Sequence, residues 1–507
     1  MTDAPWQGDA CSLVDAFRSG ERSPREEVEA TLVAIERSDL NAFSFIDPDR
    51  ALAAADTADV HLPFGGVPVG IKELDALAGW PHTHASLLFK DNVATYTQDS
   101  VARLLERGGV VPVGMTTASE FGGLNVSVTK LNGVTHNPWR HGRTTGGSSA
   151  GSAAAVSGGL VTLCTAGDGG GSIRIPAGYT GLVGLKGTYG RISRGPNAPH
   201  RPGTEVCGAL TRSVRDIARH YDVAAGSALT DPTSLPSHGR WEAELGTHEL
   251  AGRTLGLCLD LGGVTLEPGV AETLRASAEQ LAQVTGMQLV EIEVPLPNLA
   301  AQWVMGNLSA LIAELGSMWP KRAGELTDQV RLGLLLADSM YNLRVAGVAE
   351  DLRVQAYRAM ADAFSRVDLV VAATNPGPAF KASSTVSAPE ADKIERLLEA
   401  PGVHHVVRGA MGTMRFAKGI LPDLPNRTLD VATARIPDIV TMGALTIISN
   451  LYGNPAVSIP GGLVDGLPVG LQVLAPHHQD GLLLDVALRA ESEIGWTYPF
   501  QTEVAPA

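Results

Sequence analysis

Apolar positions along the chain follow two rhythms. In SPREEVEATLVAIERSDLNAF, residues 23–43, Val28, Leu32 and Ile35 recur at helical intervals, with Ser23 placed as an N-cap and Pro24 in the first turn. Further on, GGVPVGIKELDAL alternates: Val67, Val69 and Ile71 share one face, and Pro68, Gly70, Lys72 and Leu74 the other, which predicts a strand. GGVVPVGMTT predicts a second strand after the helix SVARLLERG, and GLVTLCTAGD a third after SAAAVSGG. Such alternation of helices and apolar strands implies an α/β architecture with an at least partly parallel sheet. From about residue 300 to 440 the texture turns helical, with SALIAELGSMWPKRAGEL and AEDLRVQAYRAMADAFSRVDLVVAAT as its clearest members. NPAVSIPGGLVDGLPVGLQVLAP then predicts a hairpin turning at Asp465 and Gly466. There is no internal repeat or low-complexity linker. The expected organisation is one catalytic-sized domain over 1–507, with N-terminal helices (1–60), a core (61–295), a variable helical lobe (300–440) and C-terminal strands and helix (441–507).

Composition narrows the choice of partner. The 507 residues are 44% hydrophobic and 18% charged, as in ordinary globular chains. With 39 Lys and Arg against 54 Asp and Glu, the net charge of −15 argues against nucleic acid or an anionic membrane as the main partner. Cys11, Cys164, Cys207 and Cys258 stand far apart without a C-x-x-C pair, which suggests neither a zinc site nor a disulfide framework. The N-terminus lacks the basic and apolar regions of a signal peptide, and IVTMGALTIISNLYG is too short and too interrupted to span a bilayer. A cytoplasmic location is therefore expected.

The chemistry concentrates in TAGDGGGSIRIPAG, residues 165–178, where Gly169, Gly170 and Gly171 precede Ser172. Neither the G-x-G-x-x-G fingerprint nor a Walker loop fits this run. A glycine nest remains, with N–H groups able to face a developing oxyanion beside a hydroxyl nucleophile. The competing GSSAG, centred on Ser149, matches a nucleophile elbow, but a loop and not a strand precedes it. His82, His84, His404, His405, His477 and His478 lie in polar stretches and are expected at a solvated surface. Lys72, closing an apolar strand among small neighbours, is the candidate base; the competing reading is a lysine that snorkels from a strand edge.

Together, GGSSAGSAAAVSGGLVTLCTAGDGGGSIRIPAGYTGLVGLKGTYGRIS (146–193), GVPVGIKEL and GNPAVSIPGG…DGLPVGLQVLAP resemble the amidase signature hydrolases, and the likeness runs from the N-terminal helices to the final strand. It implies the fold of that family, α/β with a large mixed, mostly parallel central sheet covered by helices on both faces. It also implies a Ser–Ser–Lys triad: Ser172 the nucleophile, Ser148 the bridging serine 24 residues ahead of it, and Lys72 the base. A cis peptide before Ser148 and an oxyanion hole from the N–H groups of Gly169, Gly170, Gly171 and Ser172 follow from the same likeness. For Ser148 and Ser149 the plainer role is capping the helix SAAAV, and for Asp168 and Arg174 it is a structural pair. No metal or organic cofactor is implied.

Substrate contacts are expected from SEFGGLNVSV, through Glu120 and Asn125, from Ser149, and from the lobe, where NLSALIAELGSMW and RGAMGTMRFAKGILPDLP are candidate lid segments. Their Leu, Met, Ile and Ala content suits a small apolar or aryl amide, or a carbamate, as taken by aryl acylamidases, nylon-oligomer amidases and urethanases. The alternative is the glutamine-hydrolysing component of a tRNA-dependent amidotransferase, against which stands Ile175 where that subfamily tends to carry glutamine. A non-catalytic binding protein is disfavoured by the intact Lys72, Ser148 and Ser172. Similarity also admits a homodimer. One departure is notable: the family commonly reads Gly-Thr-Asp-Thr-Gly-Gly-Ser, and here Gly167 and Gly169 take the threonine places.

Overall fold

The computed structural model describes residues 4–126, 128–197, 203–237, 239–297, 299–340, 343–382 and 443–501. Its strands are β1 (Phe43–Ile46), β2 (Pro68–Lys72), β3 (Val111–Thr116), the short pair β4 (Val128–Thr129) and β5 (Gly133–Val134), β6 (Leu163–Asp168) and β7 (Gly184–Lys186). They continue with β8 (Val206–Thr211), β9 (Thr254–Leu257), β10 (Gln288–Glu291), β11 (Leu369–Ala373), β12 (Ala456–Val464) and β13 (Leu467–Leu474). Two sheets form, ordered β1-β3-β2-β6-β8 and β10-β9-β11-β13-β12-β7. An antiparallel bridge between Val183 and Thr211 joins their edges, giving the large mixed sheet that the resemblance implies. Pairing is parallel where β2 meets β3 and β6 and where β9 meets β10 and β11; the remaining contacts within the two sheets are antiparallel. The sheet is therefore mixed but not mostly parallel as expected, because β12 and β13 form a hairpin and β1, β7 and β8 pair antiparallel with their neighbours.

Local chemistry explains the elements. Ser23 and Glu26 form a capping box at the helix Pro24–Arg37, as the N-cap signal predicts. Asp465 and Gly466 take φ values of 52° and 71°, the left-handed pair that a two-residue hairpin turn requires. β2, β3, β6 and β8 are buried along their whole length, so the alternation in β2 separates two covered faces rather than core from solvent. Close strand packing needs Gly70: a Cβ there would stand 2.6 Å from Thr116 Cγ2 and 2.8 Å from Cys164 Sγ.

Two elements depart from the expected organisation: β1 lies within the segment 1–60 expected to be helical, where it pairs with β3 through backbone bonds to a distant strand, and another lies in the lobe. LVVAA, at the end of a stretch expected to be helical, is β11 and lies inside the second sheet between β9 and β13. A five-residue apolar run is what a fully covered strand requires, and length separates it from the helix Leu343–Arg366 before it. All four cysteines are buried and free. Among the described residues no helix is long and apolar enough to cross a membrane.

Candidate active site

β2 delivers Lys72 into the protein interior. Its Nζ lies 2.8 Å from Ser148 Oγ and 2.9 Å from Ser149 Oγ, and its backbone N–H donates to Thr165 Oγ1. Thr165 donates in turn to the buried Asp75 carboxylate at 2.7 Å. Burial holds the Lys72 ammonium below the ordinary lysine range, against the upward pull of Asp75, Glu205, Asp168 and Cys207. Asp75, itself desolvated, is pushed up to about 6, with Lys72 and Thr165 pulling the other way. The snorkelling alternative therefore falls: this lysine is 3% exposed.

The Gly147–Ser148 peptide is cis, as the resemblance implies. Ser149 occupies the N-cap position of the helix Ala150–Ser157 but makes no side-chain cap bond. Its Oγ faces Lys72 and reaches the Gly167 carbonyl at 3.3 Å instead. If Ser149 accepts one N–H from a neutral amine and donates to Gly167, the amine's lone pair is left for the Ser148 hydroxyl. Ser149, expected among the substrate contacts, is thus engaged with the lysine.

β6 runs parallel to β2, so the segment after Asp168 leaves the sheet at the same end as Lys72. The glycine run occupies that end, and Ser172, buried, opens the turn into the helix Arg174–Thr180. Asp168 organises the turn by accepting the N–H groups of Gly171 (2.7 Å), Ile173 (3.3 Å) and Arg174 (3.4 Å). Desolvation alone would raise the Asp168 carboxyl, but paired contacts from Arg174 at 3.0 Å and a bond from Asn450 override it, holding the group well below the usual carboxylate range. The structural-pair reading of Asp168 and Arg174 agrees with these contacts. They also commit the Gly171 N–H, which leaves Gly169, Gly170 and Ser172 as the oxyanion donors to consider.

The glycines answer to packing as much as to a substrate. A Cβ at Gly170 would stand 2.6 Å from Trp303 Cζ2, and Gly171 has φ +125°. A Cβ at Gly169 would meet nothing closer than Glu205 Cβ at 3.8 Å, so that glycine is not forced by contact. The same holds at Gly167, where the nearest atoms are Val206 O at 3.6 Å, Glu205 Oε1 at 3.7 Å and Lys72 Nζ at 3.8 Å.

The expected substrate loop divides. Glu120 is committed elsewhere: Oε1 accepts from Ser86 at 2.6 Å, and Oε2 from the Thr327 N–H and hydroxyl at 2.8 and 2.7 Å. It ties the loop to the lobe instead of offering a carboxylate to a ligand. Asn125 lies against the triad segment, since a Cβ at Gly147 would stand 3.0 Å from its carbonyl carbon. Sequence reasoning missed Phe121, held at φ +53°, whose neighbour Gly122 would place a Cβ 3.5 Å from Ser148 Oγ. Phe121 stacks on His84 and meets Phe89 edge-on. The surface expectation for His82 and His84 is corrected: His82 is buried and His84 half-buried, its imidazole pushed down to about 3 by desolvation and the neighbouring His82. His477 and His478 are exposed as expected. His404, His405 and the candidate lid RGAMGTMRFAKGILPDLP lie outside the described residues.

From the lobe, Leu308, Leu311 and Leu315 join Leu88, Trp319 and Leu326 in an apolar cluster with Phe89, Phe121 and Leu124 packed against it. Trp303, also missed from sequence, donates from Nε1 to the Gly169 carbonyl at 2.7 Å. A lone tryptophan on a helical stretch gives no sequence signal of such a contact.

Comparison with known proteins gives the family of the chain. The amidase family model matches residues 26–407. The chain is 32% identical to the A-type subunit of glutamyl-tRNA(Gln) amidotransferase from Akkermansia muciniphila, over 94% of this chain and 97% of that protein. A bacterial aryl acylamidase of the amidase signature enzymes shares its fold with a TM-score of 0.82, at 22% identity and 96% coverage of both chains. 6-Aminohexanoate cyclic dimer hydrolase, complexed with substrate, does so with a TM-score of 0.81, at 24% identity and coverage of 97% of this chain and 98% of that one. The chain belongs to the amidase signature family and is an amide-hydrolysing enzyme.

Proposed function

We propose that the protein cleaves the C–N bond of an amide through an acyl-enzyme on Ser172, with Ser148 as relay and Lys72 as base. The observation that carries this reading is the buried Lys72 amine in contact with two serine hydroxyls and kept below its ordinary range by burial. As Ser172 Oγ attacks the carbonyl carbon, its proton passes to Ser148 Oγ and the Ser148 proton to Lys72 Nζ. The oxyanion is met by N–H groups of the glycine run. On collapse the C–N bond breaks, and the proton returns through Ser148 to the leaving amine. Water then adds to the ester by the same relay and releases the acid.

Two substrate readings rest on different observations. The apolar cluster that holds Phe121, Leu124 and Leu308, whose loop approaches Ser148 at Gly122, supports a small apolar or aryl amide, and a carbamate would meet the same nucleophile. Ile175 adds to this, packed among Val126, Tyr179, Ala379 and Leu467. Glutamine hydrolysis within a tRNA-dependent amidotransferase is supported by the full-length relative at 32% identity, and on sequence similarity it is the better supported of the two, reversing the order the motifs suggest. Arg194 and Glu205, ion-paired at 2.7 Å with Glu205 beside Gly169, are of the charge types a zwitterionic amide calls for. Amine release by the purified chain from an acyl anilide, an aryl carbamate and glutamine separates them. Release from the first two, lost in Ser172→Ala, supports the stand-alone amidase; ammonia from glutamine alone supports the amidotransferase component. Turnover unchanged in Ser172→Ala overturns the mechanism.

A further inference from the structure

We propose that Trp303 is a positioning residue through which the lobe sets the oxyanion hole, an inference that rests on Ser172 being the nucleophile. In a trans peptide the C=O and N–H point to opposite sides of one rigid plane, so whatever fixes the carbonyl also aims the N–H of the next residue. Trp303 Nε1 holds the Gly169 carbonyl at 2.7 Å, which aims the Gly170 N–H to the opposite side. Thr446 Oγ1 does the same for the next plane, donating to the Gly170 carbonyl at 2.7 Å, and the N–H of that plane is the one Asp168 accepts from Gly171. Two of these three anchors, Asp168 and Thr446, are fully buried; the third comes from the lobe helix Ala300–Leu315, and Trp303 is partly exposed.

The absence of a side chain at Gly170 follows from the same contact. A Cβ there would come within 2.6 Å of Trp303 Cζ2 and 2.7 Å of Cε2, so the indole lies directly over the loop. The helix that carries Trp303 also supplies Leu308, Leu311 and Leu315 to the apolar cluster that Phe121 joins. The acyl wall and the aim of the Gly170 donor therefore depend on the seating of one helix. A lobe displaced from its seat would leave Lys72, Ser148 and Ser172 in place and lose a donor, so catalysis would fall while the nucleophile stayed present.

A fluorophosphonate probe tests this without assuming the acyl specificity, because its phosphoryl oxygen calls on the same donors when Ser172 attacks phosphorus and fluoride leaves. Trp303→Phe keeps an aromatic ring and removes the N–H donor. The limiting inactivation rate is expected to fall about tenfold, the scale of one hydrogen bond, with the half-saturating probe concentration unchanged. Gly170→Ala pushes on the indole and should slow the limiting rate as well, yet cost nothing further in a Trp303→Ala background. A limiting rate in Trp303→Phe equal to that of the wild type overturns the proposal, as does a loss confined to half-saturation. Additive losses in Gly170→Ala with Trp303→Ala overturn it too, even if Trp303→Phe folds poorly. Labelling that persists in Ser172→Ala instead removes the nucleophile assignment on which the proposal stands.

Discussion

Among the described residues two lysines are enclosed in the interior, and only one of them meets side-chain hydroxyls. Lys72 closes β2, Lys186 closes β7, and burial pushes both below the ordinary lysine range, Lys186 to about 7 with Arg174 adding to the effect. Their neighbours differ. Lys72 Nζ meets two hydroxyls, whereas Lys186 Nζ donates to the Gly187 carbonyl at 2.9 Å beside the Asp168–Arg174 pair. A hydroxyl can give up one proton while taking another; a carbonyl can only accept. Desolvation thus weakens the hold of both lysines on a proton, and the partner decides whether that can serve a proton relay or is only a cost to folding.

Substitutions at the two ends of this contrast should separate cleanly. Lys72→Met is expected to lower turnover by about a thousandfold or more, read from amine release, because the relay loses its terminal acceptor. If Lys186→Met does the same, the contrast is wrong. Next in size is Asp168→Asn, which leaves the buried Arg174 without its counter-charge and loosens the Gly171 N–H. A destabilisation of about 3 to 5 kcal/mol is expected in chemical denaturation, the usual scale for breaking a buried pair. Retained stability would mean that Asn450 and Gln472, which also contact Arg174, suffice to hold it.

How much of this was legible in the sequence follows from the range of the forces involved. Strand alternation, the Ser23 cap, the Asp465–Gly466 turn and the glycine run are local, and each is found where its residues predict. Lys72 as the base candidate was legible as a charge closing an apolar strand, but its enclosure depends on β6 and the helix Ala150–Ser157 arriving from elsewhere. Glu120 was misread because its partners, Ser86 and Thr327, stand 34 and 207 residues away. His82 and His84 were misread because a polar neighbourhood in sequence became a stacked aromatic layer with Phe121 in space. Trp303 has no local signal, since its meaning is a contact 134 residues distant.

The cost side of the contrast can be measured through stability. With its folded value near 7 and its unfolded value near 10.5, Lys186 is protonated in the unfolded chain and neutral in the folded one across that window. The unfolded state then binds more protons, so stability from this group rises with pH from about 7 to 10.5 and is lowest, and flat, below 7. Lys186→Met should remove that slope and raise stability at pH 7 by about 1 to 3 kcal/mol, since a well-packed apolar residue spares the desolvation. An unchanged slope between pH 7 and 10 would place the neutral lysine elsewhere.

The smallest effect discriminates most finely, because it should touch one lysine and not the other. Glu205 is among the charges that raise Lys72, and it is absent from those acting on Lys186. Its carboxylate approaches Lys72 across the space at Gly167, where the family commonly carries threonine. Removing that negative charge in Glu205→Gln should move the rising limb of kcat/KM against pH to lower pH, since Lys72 then loses its proton more readily. Glu205 is 51% exposed, so the displacement should shrink as salt is added. The Lys186 stability slope should stay where it is in the same variant. A limb that does not move at low salt would assign the rising activity to a group other than Lys72, and the distinction between the two lysines would then rest on hydrogen-bond partners alone.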